Sequence, residues 1–216
     1  MLEVAWTYRE GLLQATALTI FLTISSFAVG LVLGLILALA RMNRRRWYFW
    51  WPAQAFVEFV RGTPLLVQLF YLFFVLPFIG IKLDPIPTGI IGLGLNYGAY
   101  MSEVYRSGIN AVDRGQWEAA HALAMPWGVI MRMVVLPQAF RIIIPPLGNY
   151  FVSLFKDTAI VSTIAIQELT FFSRLVAAET FRYLEIFTIA LIIYFLISFP
   201  VSRAAVWVER RLRIGA

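Results

Sequence analysis

From Leu12 to Ala40 the chain carries no charged side chain, and its polar members are Gln14 and a scatter of threonine and serine. A hydrocarbon layer about 30 Å thick is crossed by roughly 20 apolar residues in a helix, so this stretch is long enough to span a membrane. It closes on Arg41, Arg44, Arg45 and Arg46, then on Trp47, Tyr48, Phe49, Trp50 and Trp51, as a span does where it meets an interfacial belt. Further apolar stretches lie at 53–80, 87–106 and 186–207. A fourth in chain order, 137–169, is too long for one straight crossing and contains Arg141, Pro145, Pro146, Lys156 and Asp157, which predicts a helix broken near its middle. The expectation is an all-α integral membrane protein of five transmembrane helices, the fourth broken. At 61% hydrophobic and 14% charged, the chain stands well away from the roughly 45–50% and 25% of soluble domains. Its 216 residues leave no room for a second, soluble domain, so 1–216 is read as one transmembrane unit.

Composition also excludes chemistry. The absence of cysteine removes thiol nucleophiles, thiolate-held metals and disulfides, and a lone histidine, His121, removes imidazole clusters. No cofactor or metal site is expected. The net charge of +6 comes from arginines spread between apolar runs, without the concentrated basic face of a nucleic-acid binder, and it reads as topology. Glu3, Arg9 and Glu10 precede a first run too long for a signal-peptide core, so that span is expected to remain. With the first arginine cluster inside the cell, five spans place the N-terminus outside and the C-terminus in the cytoplasm. Twelve basic residues then fall inside: Arg41, Arg44, Arg45, Arg46, Arg106, Arg114, Arg132, Arg141, Arg203, Arg210, Arg211 and Arg213. Four fall outside, Arg9, Lys82, Arg174 and Arg182, in keeping with the positive-inside rule.

Glu58, Arg61, Glu103, Lys156 and Asp157 lie in or at the edge of these spans, where an ionised group costs about 2.5–3.5 kcal/mol on insertion scales and therefore faces a partner or an aqueous cavity. Glu58 and Arg61, three residues apart, can meet on one helical face. Asp157 and Glu103 sit among Asn96, Tyr100, Ser102, Ser153 and Thr158, the surroundings of a polar route. Irregular backbone at membrane depth occurs only where protein or water satisfies it. Three carboxylates against two cations suggest a solute with positive charge. The spacings Gly30-x-x-x-Gly34 and Gly94-x-x-x-Gly98 fit close helix packing.

Between the third and fourth spans, 113–136 reads as a surface loop of two short helices. Asp113 with Gln116 resembles an N-cap and its reciprocal partner, the first helix runs to about Ala124, Pro126 starts the second and Pro137 ends it. Ala119, Ala120 and Ala122 make the first helix thin enough to lie in a groove on another protein.

Glu118-Ala119-Ala120, the small residue Ala124 and Leu136-Pro137 resemble the EAA loop of the permease subunits of ATP-binding-cassette importers. Glu58-Phe59-Val60-Arg61-Gly62-Thr63-Pro64-Leu65, Gly115-Gln116-Trp117-Glu118 and Lys156-Asp157-Thr158 narrow the resemblance to the polar amino-acid permeases. Two positions depart from the family pattern: its usual loop glycine is Ala124 here, and its usual serine after Lys-Asp-Thr is Ala159.

The resemblance implies a type I importer permease in a bacterial inner membrane. Its partners would be a second copy or close relative, an ATPase dimer, an extracytoplasmic solute-binding protein and the lipid bilayer. Its solute would be a polar, and by the charge count cationic, amino acid. No Gly-x-x-x-x-Gly-Lys-Ser/Thr loop is present, so ATP and Mg would be bound by the partner ATPase and this chain would not be an enzyme. Gln116, Glu118, Ala119, Ala120, Ala124 and Trp127 are the candidate coupling residues. Glu58, Arg61, Thr63, Asn96, Tyr100, Glu103, Ser153 and Asp157 are the candidate solute-site residues. The same buried charges also suit an ion-coupled carrier or channel working without ATPase, although the loop at Glu118 then has no task and no internal repeat is visible. A membrane enzyme would have to draw its catalytic pair from the same few charges.

Overall fold

The computed structural model describes residues 2–213, and every regular element among them is helical. A short α1 (Leu2–Thr7) leads into α2 (Arg9–Met42), which is followed by α3 (Trp47–Gly62) and α4 (Leu65–Phe70). The chain continues from α4 through a π-helical segment, Tyr71–Val75, and a 3-10 turn, Leu76–Ile79, to α5 (Pro85–Asn110). Next come α6 (Arg114–Ala122), α7 (Trp127–Val129), a π-helical segment Ile130–Val135 and α8 (Leu136–Asp157). A 3-10 segment, Thr158–Ile164, then α9 (Leu169–Thr180) and α10 (Tyr183–Arg213) complete the described chain.

Helix α5 is the hub, packed on α2, α3, α4 and α8. Its closest neighbour is α2, and the glycines explain why. A Cβ at Gly30 would stand 3.4 Å from the Gly98 nitrogen and 3.5 Å from the Gly94 carbonyl oxygen, and one at Gly34 would stand 3.0 Å from the Gly98 oxygen. The two GxxxG pairs expected from the sequence therefore face each other, and the backbones approach closely, with the side chains of Val29, Leu33 and Met101 seated on the glycines. Leu93, Ala99 and Met101 along α5 are fully buried.

Three helical stretches are long and apolar enough to cross a membrane, Arg9–Met42, Trp127–Ile164 and Tyr183–Leu212, with a fourth if Trp47–Gly62 and Leu65–Ile79 are taken as one bent span. Helix α5 is about 39 Å long at 1.5 Å per residue, ample for a crossing, but Asn96, Ser102, Glu103 and Arg106 dilute its apolar character.

The stretch expected as one span over 53–80 begins earlier, at Trp47, and folds through 109° after Gly62. The cause is local. Thr63 is extended at φ −122°, ψ 147° and Pro64 at ψ 136°, because the proline ring drives its predecessor out of the helical region. Pro64 also has no N–H to offer the Val60 carbonyl one turn back. The Gln68 side chain supplies it instead: its Nε2 donates to the Val60 oxygen at 2.7 Å and to the Thr63 hydroxyl at 2.8 Å.

Within 137–169 the α-helix passes Pro145 and Pro146 without interruption and reaches Asp157, where 3-10 turns take over. The segment closes on Ala165 in the left-handed region, φ 63°. Pro137, expected to end the helix of the loop, instead lies inside a continuing one. The turn before it is π-helical, with Leu136 N–H bonded to the Met131 carbonyl, a ladder wider than the one a proline would interrupt. Helix α9, which periodicity did not reveal, is capped by buried Glu168, whose carboxylate accepts the N–H groups of Thr170 and Phe171 at 2.9 and 2.8 Å and the Tyr194 hydroxyl at 2.9 Å.

Candidate functional site

The elbow at Thr63–Pro64, the middle of α5 and the last turns of α8 together line an open cavity of about 340 Å³, a volume at the lower end of the usual range for small-molecule sites. Five of the eight candidate residues line it: Thr63, Asn96, Tyr100, Ser153 and Asp157. Tyr97 and Tyr150 line it as well. Their rings meet edge to face with centroids 6.0 Å apart, and Tyr100 lies 6.1 Å from Tyr150 on the other side. The three phenols make an aromatic wall with hydroxyls, apolar enough to belong in a membrane and polar enough to hold a solute. The Tyr97 hydroxyl donates to Asp157 Oδ2 at 2.7 Å, which fixes the carboxylate at the point where α8 changes helix type. Asn96 is tied to the elbow, its Nδ2 donating to Gln68 Oε1 at 3.0 Å.

Arg61 stands beside this cavity, its guanidinium 5.4 Å from the centroid of the Tyr100 ring, a cation–π contact. It does not pair with Glu58. Its Nη1 lies 3.5 Å from Glu103 Oε1, while Glu58 accepts from Gln54 Nε2 at 2.6 Å. Glu103 itself belongs to a second polar cavity, lined by Arg41, Arg44, Trp50, Gln54, Glu103 and Arg106. There its Oε2 accepts Arg106 Nε and Nη2 at 3.1 and 2.8 Å, and its Oε1 accepts Arg41 Nη2. Arg41, which the sequence places with the interfacial arginines, is 6% exposed and also donates to Gln54 Oε1 at 2.7 Å and the Ser102 hydroxyl at 3.1 Å. The eight candidates thus divide: five line the first cavity, Arg61 stacks on Tyr100 beside it, Glu103 sits in an arginine-rich cluster further along α5, and Glu58 is exposed on α3 and bonded to Gln54.

Tyr97, Tyr150 and Gln68 escaped sequence reasoning. Tyr97 and Tyr150 look like ordinary core or belt aromatics, and only the register of α8 against α5 joins them. Gln68 carried a usable signal, a lone amide four residues beyond a proline in an apolar run, where a carbonyl has lost its partner.

In the loop between α5 and α8, Asp113 caps α6 as expected, its carboxylate accepting the Gly115 N–H at 2.7 Å. Gln116 does not reciprocate; its side-chain oxygen accepts from Gln138 Nε2 at 3.3 Å, tying α6 to α8. Gln116, Glu118, Ala119, Ala124 and Trp127 are exposed. Ala120 is not. It is 3% exposed and packs with Ile109, Val112, Ile130 and Met131, because the three-residue helical step from Trp117 turns it inward with that half-buried ring. Helix α6 ends at Ala122, and Ala124 turns the chain in the left-handed region at φ 54°, a conformation for which glycine is the natural occupant.

The family model described as the inner membrane component of binding-protein-dependent transport systems matches residues 30–214. The chain belongs to this family. It is a transport component and not an enzyme. Among its relatives, the L-cystine transport system permease protein TcyB of Bacillus subtilis (strain 168) is 45% identical over 90% of this chain and 83% of its own length. The arginine transport system permease protein ArtQ of the same organism is 37% identical over 94% and 92%. The putative glutamine transport system permease protein GlnP of Rickettsia bellii (strain RML369-C) is 39% identical over 94% of each chain. A solved structure described as an amino acid ABC transporter with histidines superposes with a TM-score of 0.90 at 36% identity over 95% of both chains. An inward-facing structure of the MetNI methionine ABC transporter shares the fold, with a TM-score of 0.70 at 17% identity. The architecture is that of a type I ABC importer permease, in a multi-pass membrane protein.

Proposed function

We propose that this chain supplies the solute path of an ATP-driven importer for a polar amino acid in a bacterial inner membrane, as one five-span unit over residues 1–216. In this reading the bent pair α3–α4 and the polar helix α5 are the second and third crossings, the N-terminus faces outward, and the α6–α7 loop and C-terminus face the cytoplasm. The arginine distribution supports that orientation. Names of relatives such as TcyB, ArtQ and GlnP support the solute class.

One observation carries the site assignment: a single cavity is lined by Asp157 and by Tyr100, on whose ring the Arg61 guanidinium stacks. A zwitterion needs an acceptor for its ammonium and a donor for its carboxylate. Asp157 takes the first role and Arg61 the second, while Thr63, Asn96, Tyr100 and Ser153 border the solute. A cationic side chain would be favoured by Asp157 only where Arg61 is engaged by the solute's own carboxylate. Glu58 and Glu103 act from outside the cavity. ATP and Mg belong to an ATPase dimer that docks on Gln116, Glu118, Ala119, Ala124 and Trp127. ATPase closure moves that loop and reorients two permease copies, which receive solute from an external binding protein.

The test is uptake of labelled arginine, histidine, glutamine and glutamate into vesicles containing this chain, its ATPase and a binding protein. Uptake of one or two that requires ATP on the loop side is the expected result. Uptake that follows an ion gradient and ignores ATP would overturn it.

A further inference from the structure

We propose that Glu103 is a positioning residue for the solute site: it holds the Arg61 guanidinium beside the cavity and so sets how strongly the site prefers neutral and cationic amino acids to acidic ones. The inference rests on the reading of the cavity given above.

Arg61 is the link between the two polar cavities. Its cation–π contact is with Tyr100, which lines the first, and its ion pair is with Glu103, which lines the second. The three arginines around Glu103 are not equivalent. Arg41 is buried and bonded to Gln54 and Ser102 as well as to Glu103. Arg106 grips Oε2 with two nitrogens. Arg61 has the longest contact, 3.5 Å, and makes a single one; its side chain and that of Arg106 are about equally exposed, 43% and 41%. It is the guanidinium that can turn toward a solute carboxylate, and Glu103 loses least by releasing it, since Arg41 and Arg106 remain.

The charge balance gives the consequence. Arg41, Arg44, Arg61, Arg106 and Glu103 sum to +3, and with Glu103 neutral the sum is +4, the nearby carboxylate of Glu58 being bonded to Gln54, which itself accepts from Arg41. Glu103 therefore competes with a solute carboxylate for Arg61 and screens the cavity from the surplus positive charge. Replacing it with an amide removes both effects, which favours a solute with a second carboxylate and penalises one with a second cation.

The experiment is equilibrium binding of labelled arginine, glutamine and glutamate to the purified permease–ATPase complex without binding protein, so that the binding protein's own selectivity plays no part. Glu103→Gln is expected to lower the ratio of arginine to glutamate affinity about tenfold, Glu103→Asp to retain the wild-type ratio, and Arg61→Gln to abolish the effect of Glu103→Gln in the double variant. Equal loss of affinity for all three amino acids, together with a lowered melting temperature, means that Glu103 only stabilises the fold and overturns the inference. So does a shift in the ratio that persists when Arg61 is already glutamine. A wild-type complex that binds none of the three overturns the cavity reading itself, which separates that failure from the failure of the role of Glu103.

Discussion

Ala124 occupies a left-handed turn at φ 54°, a conformation that costs an L-residue about 1–2 kcal/mol and glycine almost nothing. The position is exposed, so no packing is lost on replacement. Ala124→Gly is expected to stabilise the loop by about 1 kcal/mol, read as a higher melting temperature of the detergent-solubilised complex; an unchanged or lower value would mean that the turn is not strained. Asp157 makes the opposite kind of residue, one whose value is functional. Its hydrogen bond from Tyr97 survives in an asparagine, but its charge does not. Asp157→Asn should leave assembly with the ATPase intact and reduce uptake about tenfold or more, the scale of one lost charge-assisted bond; unchanged transport kinetics would remove Asp157 from the site. At this scale the sequence disclosed the charged and amide members, since an ionisable group in an apolar run demands explanation. Tyr100 was singled out through the polar residues around it, while Tyr97 and Tyr150 stayed hidden, because a phenol in a membrane helix by itself demands no explanation.

The elements divide in the same way. The contact of α2 with α5 was readable from four glycines, because their spacing by itself places them on one face of each helix. Its tightness makes a sharp forecast. A side chain at Gly34 would meet the Met101 Cβ at 2.9 Å and the Gly98 backbone oxygen at 3.0 Å, so Gly34→Leu should destabilise the bundle by about 1–3 kcal/mol, seen as a lower melting temperature. The elbow between α3 and α4 was not read, although Thr63-Pro64 was in plain view, because apolar composition continues unchanged across it and a run of that length looks like one crossing. What converts it into a fold is Gln68. Gln68→Leu keeps the volume and leaves the Val60 carbonyl without its donor, a loss of about 1–3 kcal/mol; melting unchanged from wild type would mean that water replaces the amide. In the stretch expected to be broken near its middle, the α-helix carries Pro145 and Pro146 and changes to 3-10 form after Asp157.

For the whole molecule, the decisive question is whether motion enters through the α6–α7 loop. The loop is anchored to the bundle by the cluster around Ala120 and by the Gln116–Gln138 bond, so a push on its exposed face is transmitted to α5 and α8, the two helices that carry Tyr97, Tyr150 and Asp157. Glu118 is on that exposed face. Glu118→Arg is expected to leave the permease folded and membrane-inserted but to abolish co-purification of the ATPase; retained co-purification with full transport would sink the coupling role. The membrane class and the loop were legible from composition and motif. The division of charge between two cavities was not, because it depends on which arginine each carboxylate reaches across helices far apart in sequence.

The elbow also bears on how the chain enters a bilayer. The arm Trp47–Gly62 is about 24 Å long and the arm from Leu65 to Ile79 is shorter still, each less than the roughly 30 Å of hydrocarbon. Neither arm emerging from a ribosome is a self-sufficient insertion signal, and the backbone groups exposed at the bend cannot face lipid. Gln68 holds the bend from within, but Leu69, buried against Leu93 of α5, has no seat until α5 has been synthesised. In the five-span reading proposed above, membrane integration of this region is then a joint event, with the kinked pair and the polar helix α5 entering the bilayer together, each covering groups that the other would expose to lipid.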